Sequence, residues 1–310
     1  MSSLDEAAAA LLRGQLVAFP TETVYGLGAD ASNQTAVARI YEVKQRPADH
    51  PLIIHISSSE QIDFWAENIP EYARSLANVF WPGPMTLILQ RSTAAKDFVT
   101  GGQATVGLRV PNHPVALELL KKFESLGGHG VAAPSANLFG KVSPTTAAAV
   151  SSELADRLQP GDLVLEGGAS QVGIESTIID CTKAAPSILR PGAITEQMIA
   201  DVTNLSLIQK DSAIRVSGAL ESHYAPKAKV VLNAEAQPGD GLIALSEIET
   251  PAGVVRLCAP EDALEYAQQL YSALRLADEK GLTRVVAIAP EGEGIAVAIR
   301  DRLSKASFGN

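Results

Sequence analysis

Cysteine is scarce in this sequence, with only Cys181 and Cys258 among 310 residues. The two lie far apart and form no CxxC pair, so the sequence indicates neither a disulfide framework nor a thiolate zinc site. The five histidines show no HExxH or comparable metal spacing. We therefore predict no metal-binding side chains.

Long hydrophobic runs are also missing. No apolar stretch approaches the roughly 20 residues that a membrane span requires, and no membrane association is expected. The N-terminal segment MSSLDEAAAALLRG has no basic start and only a short, alanine-rich apolar stretch. It is typical of a capped first helix rather than of a signal peptide, so the expected location is the cytoplasm.

Basic residues are outnumbered, because 25 Lys and Arg stand against 35 Asp and Glu for a formal net charge of −10. An acidic chain is a poor candidate for a protein that covers nucleic acid with its whole surface, and we expect no stable nucleic-acid complex. A local basic pocket is compatible with this total. Hydrophobic residues make up 46% of the chain, which excludes a mainly disordered protein.

Several familiar catalytic motifs are absent. Without a GxxxxGK[ST] loop, any ATP site must be of another kind, and no Ser-His-Asp or Cys-His order demands nucleophilic catalysis. A weak dinucleotide pattern, GxGxxA, occurs at Gly26, Gly28 and Ala31. It lies several residues beyond the first predicted strand and lacks the acidic strand end about 20 residues later. A nicotinamide-dependent enzyme is therefore only a remote alternative.

What is present is an alternation of strand-like and helix-like patterns, which predicts an α/β protein. The apolar run Leu16–Phe19 is typical of a buried strand. Ser32 or Asn33 then caps a predicted helix. A second polar residue, Ser143, is followed by proline and is expected to cap another helix, whose N-terminus would suit an anion.

The chain length favours one large domain and a smaller one. Apolar periodicity is lost after about residue 203, and we predict a catalytic domain at 1–203, a linker at 204–228 and a small α/β domain at 229–310. The last domain contains an amphipathic helix predicted at Ala263–Ala277. Its apolar stripe is predicted to comprise Leu264, Ala267, Leu270, Tyr271 and Leu274.

Two groups of polar residues suggest ligand contacts. The segment FPTETVYGLGADA places hydroxyls, an acid and glycines after a strand, which lets backbone N–H groups approach a charged ligand; an ordinary strand-to-helix turn is the alternative. Lys44 and Arg46 stand where Pro47 ends a helix. They are either helix-dipole partners or phosphate ligands, since Arg can grip a phosphate through two N–H groups.

Further small polar residues follow in APSANLFGKVSPT, and Arg109 and Arg190 stand at strand ends. Strand-end arginines are often plain surface charges. Together with Lys44 and Arg46, however, they would form a local cationic cavity in an acidic protein. A lone histidine in a strand, such as His55, is more often structural.

Taken in order, these segments resemble the YrdC-like threonylcarbamoyl-AMP synthases. The segments that carry the resemblance are FPTETVYGLGADA, KQRPADHPLIIHI, WPGPMTLIL, TVGLRVPNHP, APSANLFGKVSPT, ESTIID, ILRPGAIT and SHYAPKA. The likeness runs to about residue 200, and the HYAP segment with the trailing α/β domain resembles the longer, two-domain branch.

The resemblance implies a YrdC-like twisted mixed sheet with flanking helices around a positive cavity, followed by a small Rossmann-like domain. It also implies a nucleotidyltransferase that condenses L-threonine, bicarbonate or CO2, and ATP into threonylcarbamoyl-AMP and pyrophosphate. The product would pass to a separate tRNA threonylcarbamoyltransferase for N6-threonylcarbamoyladenosine synthesis. Mg²⁺ is expected on the phosphates of ATP.

The same resemblance implies roles for individual residues. Lys44 and Arg46 would be the catalytic cations. The expected threonine contacts are Thr23, His55, Arg109, the backbone near Ala133, and Ser176. The expected nucleotide contacts are Arg46, His50, Thr105, Ser135, Asn137, Ser143, Arg190 and Tyr224.

Two other functions stay open on the sequence alone. A cationic concavity can also hold RNA, which would make the chain an RNA-binding module; ATP turnover without RNA would separate the two. A carbamoyltransferase acting on carbamoyl phosphate is the other. Larger proteins of that kind carry acylphosphatase-like and zinc-finger segments, and this chain lacks the cysteines for them.

Overall fold

A computed structural model describes residues 4–209, 213–218 and 223–308. The predicted linker at 204–228 falls partly outside these ranges, at 210–212 and 219–222, and so do the first three residues before the first helix. Within the described ranges, no helix is both long and apolar enough to cross a membrane.

The N-terminal part is built on a ten-stranded mixed sheet, counted over the described residues. Its strands are β1 (Val17–Phe19), β2 (Gly26–Asp30), β3 (Ile53–His55), β4 (Ala66–Glu67), β5 (Met85–Arg91), β6 (Thr105–Arg109), β7 (Val131–Ala132), β8 (Leu163–Val164), β9 (Thr177–Asp180) and β10 (Ser187–Arg190). The order across the sheet is β10-β9-β5-β6-β3-β7-β2-β1-β8, and β4 pairs with β5.

Helices flank this sheet and close its core. They are α1 (Leu4–Leu12), α2 (Gln34–Lys44), α3 (Ile62–Trp65), α4 (Glu71–Phe80), α5 (Asp97–Thr100), α6 (Pro114–Ser125), α7 (Ala147–Leu154) and α8 (Glu196–Thr203). The α2 cap is Asn33, whose side chain accepts a hydrogen bond from the Ala36 N–H. Gln45 then ends α2 in the left-handed conformation, two residues before Pro47.

Two sequence interpretations around these elements are wrong. The glycines of the GxGxxA pattern were expected in a turn after β1. They belong instead to β2, which runs antiparallel to β1. Gly28 is required there because a Cβ would meet Val131 and Phe19 at 2.7–2.8 Å. Ser143 does not cap a helix, since α7 begins later and is capped by the Thr146 hydroxyl.

The C-terminal part is a separate four-stranded parallel sheet of order β11-β14-β12-β13. Its elements are β11 (Lys229–Leu232), β12 (Gly241–Ile243), β13 (Val255–Cys258), α9 (Ala263–Glu279), β14 (Arg284–Ala287) and α10 (Ile295–Phe308). The predicted small α/β domain is confirmed. The predicted stripe of α9 is wrong at Leu264, which is 65% exposed, because Tyr266 faces inward instead.

Both helices of the C-terminal part pack towards the N-terminal part. Buried side chains of α9 and α10 share one hydrophobic cluster with Val24, Val142, Ile174 and Tyr224. Since burial of apolar surface is the main stabilising term in folding, this shared cluster fixes the C-terminal helices against the loops that carry the polar residues described next.

Candidate active site

A cavity lies where the loop after β1, the ends of β3, β6 and β10, and the segment just before β9 meet. Nine of the expected site residues line it. They are Thr23, Arg46, His55, Arg109, Ala133, Ser135, Ser176, Arg190 and Tyr224. Residues from four strands (β2, β3, β6 and β10) and from five connecting segments therefore converge on one space, as the cationic-cavity hypothesis requires.

One end of the cavity is organised around Arg109. The arginine pairs in register with His55 across β6 and β3, so the two side chains reach the same edge of the sheet. Arg109 Nη1 donates to Thr23 Oγ1 at 2.8 Å, and Arg109 Nη2 lies 2.7 Å from Glu22 Oε2. Thr21 shares a 2.8 Å hydrogen bond with Thr23, which fixes the loop beneath the guanidinium.

His55 is a neutral imidazole at physiological pH. Burial lowers the pKa of His55 to about 3, and the charge of Arg109 adds to this effect. Its Nδ1 is buried and has no hydrogen-bond partner among the described residues. The imidazole can therefore take part in a hydrogen bond to a ligand without bringing a second positive charge beside Arg109.

The other end of the cavity carries two arginines from distant parts of the chain. Arg46 donates to Pro51 O and to Ser217 Oγ at 3.1 and 3.2 Å. Arg190 donates to Ser176 O and to Ser217 O. Burial lowers the pKa of Arg46 to about 10, so its guanidinium stays charged near neutral pH. Among the described residues, both guanidiniums donate only to neutral oxygens, so the pair suits an anionic ligand.

Lys44 does not line the cavity, although it was expected to act with Arg46. It is 1% exposed, and its ammonium donates to the carbonyls of Ser135 and Asn137. Burial, followed by the charge of Arg46, lowers the pKa of Lys44 well below its usual value. In this conformation Lys44 holds the loop after β7 in place, from which Ser135 reaches the cavity.

Four other expected nucleotide contacts lie outside the cavity lining. His50 stands edge-on against Phe139 with ring centroids 5.3 Å apart. Asn137 donates to carbonyls of its own loop. Thr105 lines a neighbouring pocket beyond Val216. The fourth, Ser143, is fully buried and takes part in the polar cluster described next.

That cluster joins the catalytic part to the C-terminal helices around Glu175. The Glu175 carboxylate accepts hydrogen bonds from Ser143 (2.7 Å), Tyr271 (2.8 Å) and Arg302 (2.9 Å). Burial by itself would raise the pKa of Glu175, but the nearby arginines and these bonds lower it to about 2. Because Glu175 precedes Ser176, the C-terminal part fixes one wall of the cavity.

Tyr224 is held by the same two C-terminal residues. Its ring stacks on Tyr271 at 5.5 Å and 26°, and the Arg302 guanidinium lies 5.5 Å from its centroid. The backbone of Tyr224 adopts a left-handed φ of 61°. Its hydroxyl is buried and has no partner among the described residues, while burial raises the pKa of this phenol above its usual value.

The cavity is small in this conformation, at about 50 Å³. Pockets that hold drug-sized ligands measure about 300–1,000 Å³, so this space is too small for a nucleotide. Ser217, Gly218, His223 and Tyr224 form one wall. Entry of a nucleotide therefore requires this wall to move.

Sequence reasoning missed several residues of this region. Glu22 and Glu175 were quoted within motifs but given no site role. Tyr271 was assigned only to the apolar stripe of α9, and Ser217 and Arg302 were given no site role. Only Glu22 carried a local signal, since it stands beside Thr23 in the first motif. The others meet the cavity through contacts between residues more than 90 positions apart, which no local pattern reveals.

Two family models cover nearly the whole chain. Residues 9–192 match the Sua5/YciO/YrdC family, described as telomere recombination. Residues 194–307 match the C-terminal domain of threonylcarbamoyl-AMP synthase. The order of the two matches is that of the two sheets described above.

Relatives match at similar length. The threonylcarbamoyl-AMP synthases of Pyrococcus abyssi and Bacillus subtilis are each 39% identical to this chain, covering 97% and 99% of it and 93% of their own length. The crystal structure of P. abyssi Sua5 complexed with L-threonine superposes with a TM-score of 0.87 at 37% identity, over 98% of this chain and 94% of that one. This chain therefore belongs to the threonylcarbamoyl-AMP synthase family, in its two-domain Sua5 form.

Proposed function

We propose that this protein condenses L-threonine, bicarbonate and ATP into L-threonylcarbamoyl-AMP and pyrophosphate. The observation that carries the proposal is the pairing, in one buried cavity, of an end built on Arg109 with an end built on Arg46 and Arg190. The reaction brings a small amino acid and a polyphosphate together, and these two ends match the two substrates.

The Arg109 end is the proposed threonine site. Arg109 would bind the carboxylate, because its Nε and Nη2 are buried without an aligned hydrogen bond among the described residues. Thr23, His55, Ser176 and the backbone near Ala133 would surround the rest of the amino acid. The binding of L-threonine by the P. abyssi relative supports this assignment.

The Arg46 and Arg190 end is the proposed nucleotide site. Both guanidiniums would exchange the oxygens of Ser217 for phosphate oxygens, and Ser135 would contact the nucleotide beside them. Lys44, Asn137 and Ser143 support this end from behind in the described conformation. His50 and Thr105 remain proposed nucleotide contacts that require the wall of the cavity to move.

The chemistry needs little acid–base work from the protein. Bicarbonate takes up a proton and releases CO2 and water. The ammonium group of threonine loses a proton, and the resulting amine adds to CO2 and loses a second proton to give a carbamate. A carbamate oxygen then attacks the α-phosphorus of ATP, and the bond to the leaving pyrophosphate breaks. Preorganised arginines and hydroxyls stabilise the charge that develops on the phosphate oxygens.

Mg²⁺ would accompany ATP in this reaction. Among the described residues, no group of three His, Cys, Asp or Glu side chains stands close enough to hold a metal. Phosphate oxygens and water would supply most of its ligands, which is usual for this ion. Its contribution would be to neutralise phosphate charge.

The linker is proposed to act as a lid. Its described residues Ser217, Gly218, His223 and Tyr224 already form a wall of the cavity. A lid is useful because a mixed carbamic–phosphoric anhydride hydrolyses readily, and exclusion of water protects it. Release of the product to a tRNA threonylcarbamoyltransferase would follow when the lid opens.

The test is to incubate the full-length protein with ATP, Mg²⁺, bicarbonate and each amino acid in turn, and to follow pyrophosphate release. Release should require both threonine and bicarbonate and should proceed without RNA. Serine should be used less well, since one methyl group is worth only about 1–3 kcal/mol of discrimination. Equal turnover with serine, or none with any amino acid, would count against the proposal.

A further inference from the structure

The three arginines that line the cavity differ in what neutralises them. Arg46 and Arg190 donate only to hydroxyl and carbonyl oxygens, and no carboxylate of the described residues forms an ion pair with either. Arg109 instead lies 2.7 Å from the carboxylate of Glu22. Glu175 also lies near Arg190, but it is already paired with Arg302. Among the described residues, this end of the cavity is therefore positive overall, whereas the Arg109 end is neutral.

Glu22 cannot easily leave this position. Its side chain is 6% exposed and that of Arg109 is 5% exposed, so both side chains are shielded from solvent. The backbone on both sides is fixed, because Val172 N donates to Glu22 O at 2.7 Å and the Thr21 hydroxyl donates to Val24 O at 2.6 Å. The carboxyl group of Glu22 is thus a fixed part of the Arg109 end.

We propose that Glu22 determines which ligand each end of the cavity accepts, by cancelling the charge of Arg109. The inference rests on the proposed function, since it assigns the amino acid to the Arg109 end. Glu22 does not line the cavity and acts through Arg109, so it is a positioning and charge-setting residue rather than a catalytic one.

The physical reason is the cost of like charges in a buried site. Phosphate oxygens placed on Arg109 would stand close to the Glu22 carboxylate, where the surroundings screen repulsion weakly. An amino-acid zwitterion has no net charge and avoids most of this repulsion. Polyphosphate is thereby directed to Arg46 and Arg190, and pyrophosphate is kept out of the threonine end.

The experiment compares wild-type protein with Glu22→Gln, which removes the charge and keeps the shape. Inorganic pyrophosphate is titrated calorimetrically into each full-length protein, with and without saturating L-threonine. Wild type should bind one equivalent, with an affinity that threonine changes less than twofold. Glu22→Gln should bind a second equivalent that threonine displaces, and added pyrophosphate should raise its KM for threonine at least tenfold.

Two further variants control for structure. Glu22→Asp keeps the charge and should restore the single equivalent, which a purely steric role of Glu22 would not produce. Glu118→Gln removes an exposed charge from α6 and should behave as wild type. One equivalent in Glu22→Gln that threonine does not displace would overturn the proposal.

Wild type alone also tests the inference, should Glu22→Gln fail to fold. Two pyrophosphate equivalents in wild type, one of them displaced by threonine, would contradict it. The titration needs no turnover, so failure of the proposed reaction would appear separately, as an absence of threonine-dependent pyrophosphate release.

Discussion

Arg46 and Lys44 stand two positions apart in one motif, yet they meet different surroundings. Arg46 lines the cavity, whereas Lys44 is buried against two loop carbonyls. Their motif predicted cations at a phosphate site, and only the fold separates the one that faces the cavity from the one behind it. The difference leads to distinct expectations for the two alanine variants.

Arg46→Ala should lower kcat/KM for ATP at least 100-fold, because loss of one preorganised donor to transition-state charge costs about 3 kcal/mol. Its melting temperature should stay close to that of wild type.

Lys44→Ala should lose activity and also stability, by about 1–3 kcal/mol, since two buried carbonyls lose their donor. Steady-state kinetics and thermal unfolding check both variants. The control is Arg74→Ala, which removes an exposed ion pair with Asp63. Near-wild-type turnover of Arg46→Ala would refute the phosphate role.

His55 leads to a pH prediction. Its pKa of about 3 means that the imidazole stays neutral from pH 5.5 to 7.5, and threonine remains a zwitterion over the same range. The Kd for threonine, measured by calorimetry, should therefore vary less than twofold across it. A tenfold change centred near pH 6.5 would show that His55 titrates normally and is not desolvated.

At the scale of elements, long periodic segments were predictable and short ones were not. Helix α9 was predicted at Ala263–Ala277 and spans Ala263–Glu279, because its length and most of its apolar face are encoded locally. Strand β2 was taken for a loop, since its glycines are required by close packing against Phe19 and Val131. Such packing depends on the folded structure, so it leaves no periodic pattern of apolar residues in the sequence.

The linker is the element whose role can be tested most simply. Tyr224→Ala should weaken nucleotide binding or release product to hydrolysis, because the ring fills the space between Tyr271 and the cavity. Tyr224→Phe keeps the ring and separates packing from the contribution of the hydroxyl. In wild type, ATP with threonine should protect the linker from limited proteolysis. Unchanged cleavage together with unchanged Tyr224→Ala kinetics would reduce the segment to a spacer.

At the scale of the whole molecule, the two parts are joined by a buried ion pair. Glu175 and Arg302 are 127 positions apart, and neither residue belongs to a pattern that predicts the other. The two-domain organisation could be anticipated from composition and from the resemblance. The contact that anchors the C-terminal helices to the cavity wall through Glu175 could not, because it depends on how α9 and α10 pack.

Arg302→Met should destabilise the protein by about 3–5 kcal/mol, since it leaves the Glu175 carboxylate buried and unpaired. Glu175→Gln combined with Arg302→Met should recover part of this loss. Urea unfolding measures the stability of both variants. The matched control is Arg300→Met on the same helix, since the Arg300 guanidinium donates, among the described residues, to the carbonyls of Pro290 and Gly292. Equal stability of Arg302→Met and Arg300→Met would contradict the bridging role.

The same pair predicts acid sensitivity. The folded pKa of Glu175 is depressed from 4.5 to about 2, so its stabilisation is fully present above about pH 5 and is lost as the pH falls towards 2. The contribution is on the order of 3 kcal/mol. Wild type should therefore lose more stability than the double variant between pH 5 and 2.5, and identical slopes would contradict the assignment.

The central claim is that one cavity joins threonine, bicarbonate and ATP into a single adenylate. The direct measurement is incubation with ¹⁴C-bicarbonate, ATP, Mg²⁺ and L-threonine, followed by rapid chromatography of the nucleotides. The account predicts label in a new adenylate that forms only when threonine is present and that is lost in Arg46→Ala. Pyrophosphate release without label in any adenylate, or label that does not depend on threonine, would contradict it.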